Sequence, residues 1–191
     1  MTSDWLVDVS DDRCITSKKA NLTSTFIQRN LQYCLQRTKA VCYTTLVKPL
    51  LEYACTVWDP FTNVNIQKLE SVQRRSARFV MNDYRQTSSV TTMLNTLQWQ
   101  PLAERRTRCK AVLMYRIVNG LLAIPLLELH TTSSVARGHI ARFIVPYART
   151  STYRHFFFPD SIRIWNSLPQ SLVDSTSLDA FKQGVLSCSI P

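Results

Sequence analysis

Glycine is nearly missing from this sequence, with three residues in a chain of 191. No glycine-rich loop is available to cradle a phosphate, and long helices are better served than tight turns. Acidic residues are scarce too, thirteen against twenty-three lysines and arginines. No two of the six cysteines (14, 34, 42, 55, 109 and 188) form a C-x-x-C pair, and His130, His139 and His155 lie far from most of them. That spacing argues against a zinc site. The most apolar stretch, residues 40–58, is interrupted by Lys48, Pro49 and Glu52, so it reads as a buried helix and not a membrane span. No signal peptide is recognisable at the start, and the cysteines read as reduced thiols of a cytoplasmic or nuclear protein.

What is present is apolar area and positive charge. The chain is 45% hydrophobic and 10% aromatic, enough for a real core, and carries a formal charge of +10. Such an excess favours a polyanionic partner, nucleic acid ahead of an acidic membrane. Helical periodicity predicts a first helix over 15–33, with Leu22, Phe26, Ile27 and Leu31 on its apolar side. A second is expected over 38–57, kinked or split at Pro49 and closed by Asp59-Pro60, with Tyr43, Leu46, Leu50, Tyr53 and Trp58 in the core. The third, over 64–82, is the clearest. At about 100° per residue, Leu69, Val72, Ser76, Phe79 and Val80 share one side, and Arg74, Arg75 and Arg78 fall opposite. Ser88 or Ser89 would cap a short helix, and Pro101 would open another that Gly120 ends. Further on, 142–147 and 153–158 are aromatic and β-branched and should pair as a small hairpin, before a helix opened by Pro159 and a last one capped by Ser177. The fold expected is mainly α: a segment 1–14, a helical domain 15–125, and an α+β extension 126–191.

No catalytic constellation emerges. Neither H-E-x-x-H nor G-x-S-x-G occurs, and four of the thirteen acids lie within the first twelve residues. Asp11-Asp12 resembles a polymerase metal pair only superficially. No upstream strand within the chain supplies a third ligand, and helix-leading acids are the better reading. No cofactor, metal or small-molecule substrate is therefore expected. Arginine near aromatics is the positive signal. Lys68, Arg74, Arg75 and Arg78 form one basic set, and Arg105, Arg106, Arg108 and Lys110 a second. A third, Arg137, Arg142, Arg149, Arg154 and Arg163, is interleaved with Phe143, Tyr147, Tyr153 and Phe156. Guanidinium forks suit phosphate and aromatic rings stack on unpaired bases. Any one of these arginines reads better as the solvated face of an amphipathic helix; three sets together on a chain of +10 favour nucleic acid.

Several strings then carry a resemblance. They include Tyr43-Thr44-Thr45-Leu46-Val47-Lys48-Pro49-Leu50-Leu51-Glu52-Tyr53-Ala54 with Val57-Trp58-Asp59-Pro60, and Leu69-Glu70-Ser71-Val72-Gln73-Arg74-Arg75-Ser76-Ala77-Arg78-Phe79-Val80. Ser89-Val90-Thr91-Thr92-Met93-Leu94, Leu102-Ala103-Glu104-Arg105-Arg106, Tyr115-Arg116-Ile117-Val118-Asn119-Gly120 and Trp165-Asn166-Ser167-Leu168-Pro169 follow in order. This order resembles the region after the polymerase palm in LINE-type (non-LTR) retrotransposon reverse transcriptases of the CR1/L2/jockey-like group, over residues 15–186. The resemblance implies a helical, thumb-like domain that holds the template–product duplex by its backbone, with Arg74, Arg75, Arg78, Arg105 and Arg106 on the matching strings. It implies the missing palm as a second partner. The aromatic-x-Asp-Asp motif of the palm and any endonuclease signature are absent from the chain, so it is expected to be non-catalytic. A binding module, an inert transposon remnant, and a subunit completing a polymerase supplied elsewhere all fit the sequence.

Overall fold

The computed structural model describes residues 9–123, 129–131 and 139–188, with side chains from Ile15 onward except Trp58. Among them are α1 (Val9–Asn30), α2 (Gln36–Cys42), a π-helical turn (Tyr43–Val47), α3 (Lys48–Glu52), α4 (Cys55–Trp58), α5 (Asn63–Met81), α6 (Val90–Thr96), α7 (Leu102–Val118), α8 (Ser151–Arg154), α9 (Phe157–Ser167), α10 (Gln170–Val173) and α11 (Leu178–Ser187). The chain is mainly helical, and no strand occurs among the described residues. It divides into two compact units after Ala103, in the first turn of α7.

In the N-terminal unit α1 packs on α5 through small residues. Ala20 and Ser24 are buried there with Ile27, and Ser24 Oγ lies 3.2 Å from Ser76 Oγ. A seam that close has no room for large side chains, which corrects the expected inward face of α1. Leu22 and Phe26 remain 72% and 64% exposed, and with Ile15 they form a stripe on the outer side at spacings of seven and four residues. Asp11 and Asp12 fall in the first turn of α1, as helix-leading residues.

Pro49 divides the second helix as its chemistry requires. The proline has no N–H to donate and crowds the carbonyl four residues back. The backbone widens before it into the π turn, where the Lys48 N–H reaches back to the Tyr43 carbonyl. Four-residue steps then place Tyr43, Val47, Leu51 and Cys55 in the core. Leu46 and Tyr53, expected inside, are exposed as a result of this change of phase; the Trp58 side chain lies outside the described residues. Tyr43 stacks on Trp99 with ring centroids 4.0 Å apart. Buried Glu70 and Gln73 of α5 hold the start of α7: Glu70 Oε1 accepts the Ala103 N–H at 3.1 Å, and Gln73 Nε2 donates to the Gln100 carbonyl at 2.9 Å. Ser89 caps α6 as expected, its side chain accepting the Thr92 N–H.

The C-terminal unit is built on Ala111, Met114, Tyr115 and Ile117 of α7 against Ile162, Ile164 and Trp165 of α9 and Phe181 and Val185 of α11. Tyr115 stacks on Phe181 at 4.3 Å, and its hydroxyl donates to the Ser175 carbonyl at 2.7 Å. Gly120, at φ 66, ends the α7 segment, and Ser177 caps α11.

The expected hairpin is not formed. Thr150 accepts the Tyr153 N–H and turns 151–154 into α8, while Pro159 sits in the first turn of α9, where no amide is needed. The extended segment 142–147 finds its partners elsewhere. Phe143 forms an isolated antiparallel bridge with Thr131, and the Ile144 N–H bonds the His130 carbonyl at 2.7 Å. Asn166 then acts as a surrogate strand: Oδ1 accepts the Phe143 N–H at 3.1 Å and Nδ2 donates to the Phe143 carbonyl at 2.8 Å. The Trp165 indole N–H donates to the Ala141 carbonyl at 2.8 Å. The Trp165-Asn166 string is thus a clasp for an extended segment.

Candidate nucleic-acid interface

The first basic set lies along one face of α5. Residues 68, 71, 75, 78 and 82 recur at helical spacing, and Lys68, Arg75 and Asn82 are exposed with Arg78 half-buried. Arg74 is exposed beside this line. The opposite face carries Leu69, Val72, Ser76, Phe79 and Val80 into the core, as the periodicity requires. Lys68, Arg74 and Arg75 take part in no hydrogen bond or ion pair of their side chains among the described residues. Arg78 donates from Nη1 to the Arg85 carbonyl at 2.9 Å, and its other guanidinium donors make no bond among the described residues.

At the C-terminal end of α5 the loop is tightly braced. Asn82 adopts a left-handed conformation (φ 52) and donates its N–H to the Arg78 and Phe79 carbonyls. Asp83 accepts from Arg85 Nε at 3.1 Å and Nη2 at 3.0 Å, from Ser88 Oγ at 2.6 Å, and from the Arg85 N–H at 3.1 Å. The Arg85 side chain, then the Ser88 hydroxyl and the Arg85 amide, hold the Asp83 carboxyl well below the usual carboxylate range. Arg85 is itself largely exposed and adds a cation near the α5 line, one that the sequence periodicity does not place. Lys39 of α2 was also not legible as special. It is 4% exposed, with its ammonium 4.6 Å from the Phe79 ring centroid.

The second set behaves differently. Arg106 and Lys110 are only 2% and 3% exposed, so they are withdrawn from any solvent-facing ridge. Lys110 Nζ pairs with Asp160 Oδ2 at 2.6 Å. The reason is geometric: 106, 110, 114 and 117 lie on one face of α7, and Met114 and Ile117 take that face into the core. Arg105 and Arg108 are partly exposed, and Arg108 pairs with Glu104 at 3.5 Å. In the third set Arg149 and Arg154 are exposed and Tyr147 is fully open to solvent, while Phe143 is core. Arg163 donates to the Arg154 carbonyl at 3.0 Å, and Arg137 lies outside the described residues.

Among the described residues no group of three His, Cys, Asp or Glu side chains could hold a metal ion, and no helix is long and apolar enough to cross a membrane. No protein-family model, curated protein or solved structure matches the chain.

Proposed function

We propose that this chain holds nucleic acid by its phosphate backbone through the exposed face of α5, without reading sequence and without catalysing a reaction. Lys68, Arg74, Arg75 and Arg78 carry the contact, with Arg85 beside them. The observation behind this reading is the exposure of the α5 cations, three of which make no side-chain bond or ion pair among the described residues. Cations kept only for solubility have no reason to line up over about 15 Å of one helix, the rise from residue 68 to residue 78. With the sequence resemblance, this makes the chain a fragment like the thumb region of a LINE-type RNA-directed DNA polymerase, acting in the cytoplasm or nucleus. The exposed Ile15, Leu22 and Phe26 stripe is where a palm would pack in such a parent.

A gel shift with duplex RNA, or an RNA–DNA duplex, over a range of salt tests the grip. Four engaged phosphates give a slope of log affinity on log salt of about −3.6. Replacing Arg74, Arg75 and Arg78 together by alanine should lower affinity for all sequences alike and flatten the slope by about 2.7. No binding at low salt would leave an inert remnant as the reading, and a loss confined to one sequence would contradict backbone contact.

A further inference from the structure

The basic line of α5 leads into a cleft of about 410 Å³ between α1 and the end of α5, a size typical of small-ligand pockets. Gln28 and Arg29 line it from α1 and Gln32 from the turn after it, with Phe79, Asn82 and Tyr84 from α5 and the loop beyond. The chemistry of these walls is specific. Three carboxamides offer donor and acceptor side by side, the combination that pairs with the edge of a nucleobase. Two aromatic rings offer stacking area, and one guanidinium suits a phosphate. No carboxylate lines the cleft, which speaks against a cation as its occupant.

Gln28 donates from Nε2 to Ser24 Oγ at 3.5 Å, but the other polar groups are uncommitted. Arg29, Gln32, Asn82 and Tyr84 make no side-chain hydrogen bond or ion pair among the described residues, in a unit where Glu70, Gln73 and Asp83 are all engaged. The loop that presents Asn82 and Tyr84 is held in place by the Asp83–Arg85–Ser88 bonds and by Arg78, so the wall is formed before any ligand arrives. The same bonds pair the charge of Asp83, the carboxylate between Asn82 and Tyr84. Buried Lys39 adds positive charge at the Phe79 ring. From Lys68 to Asn82 the line rises about 21 Å along the helix, a track for successive phosphates that ends at the cleft.

We infer that this cleft takes one unpaired nucleobase of a single-stranded polynucleotide whose phosphates run along α5. The base stacks on Tyr84 against the Phe79 edge, Gln32 and Asn82 bond its polar edge, and Arg29 meets the adjoining phosphate. This deepens the backbone-grip reading and rests on it for the track, but the cleft adds a preference for unpaired strands that the track alone lacks.

The test is fluorescence anisotropy with the full chain, a labelled 12-nucleotide single-stranded RNA, and a blunt 12-base-pair RNA duplex of the same sequence. Tyr84 is exposed, so Tyr84→Ala should fold, and an unchanged thermal melt confirms it. A stacked base contributes about 1–3 kcal/mol, so Tyr84→Ala should weaken single-strand binding about 5- to 150-fold and leave duplex binding within about twofold. Tyr84→Phe keeps the ring and should retain near-native affinity. Gln32→Ala should weaken the single strand less, again sparing the duplex. Single-strand affinity indifferent to Tyr84→Ala, or equal losses on both probes, overturns the inference. Duplex binding that follows the salt law beside a Tyr84-indifferent single strand sinks the cleft and spares the grip. Tyr84-sensitive single-strand binding without duplex binding does the reverse, and binding of neither probe sinks both.

Discussion

Helices α5 and α7 are both rich in cations, and they use them in opposite ways. On α5 Lys68, Arg74 and Arg75 face solvent without side-chain partners among the described residues. On α7 Arg106 and Lys110 are taken inside, and Lys110 is locked to Asp160. The contrast extends to the two units. The N-terminal one leaves Gln32, Asn82 and Tyr84 uncommitted at its surface, whereas the C-terminal one turns Trp165, Asn166 and Tyr115 inward to satisfy backbone groups. A basic run in a sequence is therefore no measure of a binding surface; what decides is whether its helical face is shared with core residues.

The sharpest way to break this contrast is to compare one cation from each helix. Lys110→Met takes the buried partner from the Asp160 carboxylate, which keeps only the longer contact to Arg163 at 3.9 Å, and should cost about 2 kcal/mol. Arg75→Ala should stay within about 0.5 kcal/mol, as an exposed substitution does. Urea midpoints measure both, and equal losses would erase the distinction. Similar in size, Asn166→Ala removes both bonds to Phe143 and should cost about 2 kcal/mol. Faster hydrogen exchange at the Phe143 amide would locate the loss in the clasp. Tyr115→Phe, which deletes only the hydroxyl bond to Ser175, should cost about 1 kcal/mol.

On the N-terminal side the expected effects are smaller and depend on pH. Asp83 has a folded pKa below its unfolded value, so its contribution is whole above about pH 4 and fades as pH falls further. Wild type should thus lose stability as pH falls from about 4 to about 2 more steeply than Asp83→Asn, and parallel urea midpoints would refute the loop brace. Smallest of all, Phe26→Ser should leave the thermal melt almost unchanged, because the ring is already exposed in the folded chain.

Much of this was legible in the sequence, for reasons particular to each element. The α5 pattern was readable because one face is core and the other solvent, the case for which 3.6-residue periodicity is informative. Pro49, Ser89, Gly120 and Ser177 acted as their backbone chemistry dictates. The outward turn of Leu22 and Phe26 was not readable, because the α1 seam selects small residues and Ala20 and Ser24 give no hydrophobic signal. Nor was the fate of 153–158: aromatic residues suit strands and helix starts alike, and the Thr150 cap with Pro159 tipped the balance. For α7 the signal existed in the 106, 110, 114, 117 spacing, but it named a buried face only once Met114 and Ile117 were known to be core. The cleft could not be foreseen, since it joins residues some fifty positions apart in the chain.

The π turn at Tyr43–Val47 has a consequence for how this sequence can vary. It accommodates one residue more than a regular turn, so deleting Thr44 or Thr45 would restore ordinary winding and bring the Pro49 ring back against the carbonyl four residues before it. The π turn already absorbs that extra residue, so the same deletion would leave α2 and α3 in nearly their present phase and Lys39 at the Phe79 ring. Length in this segment is thus a local matter: the proline at 49 favours the extra residue, and the lysine ten positions earlier meets its aromatic partner with or without it.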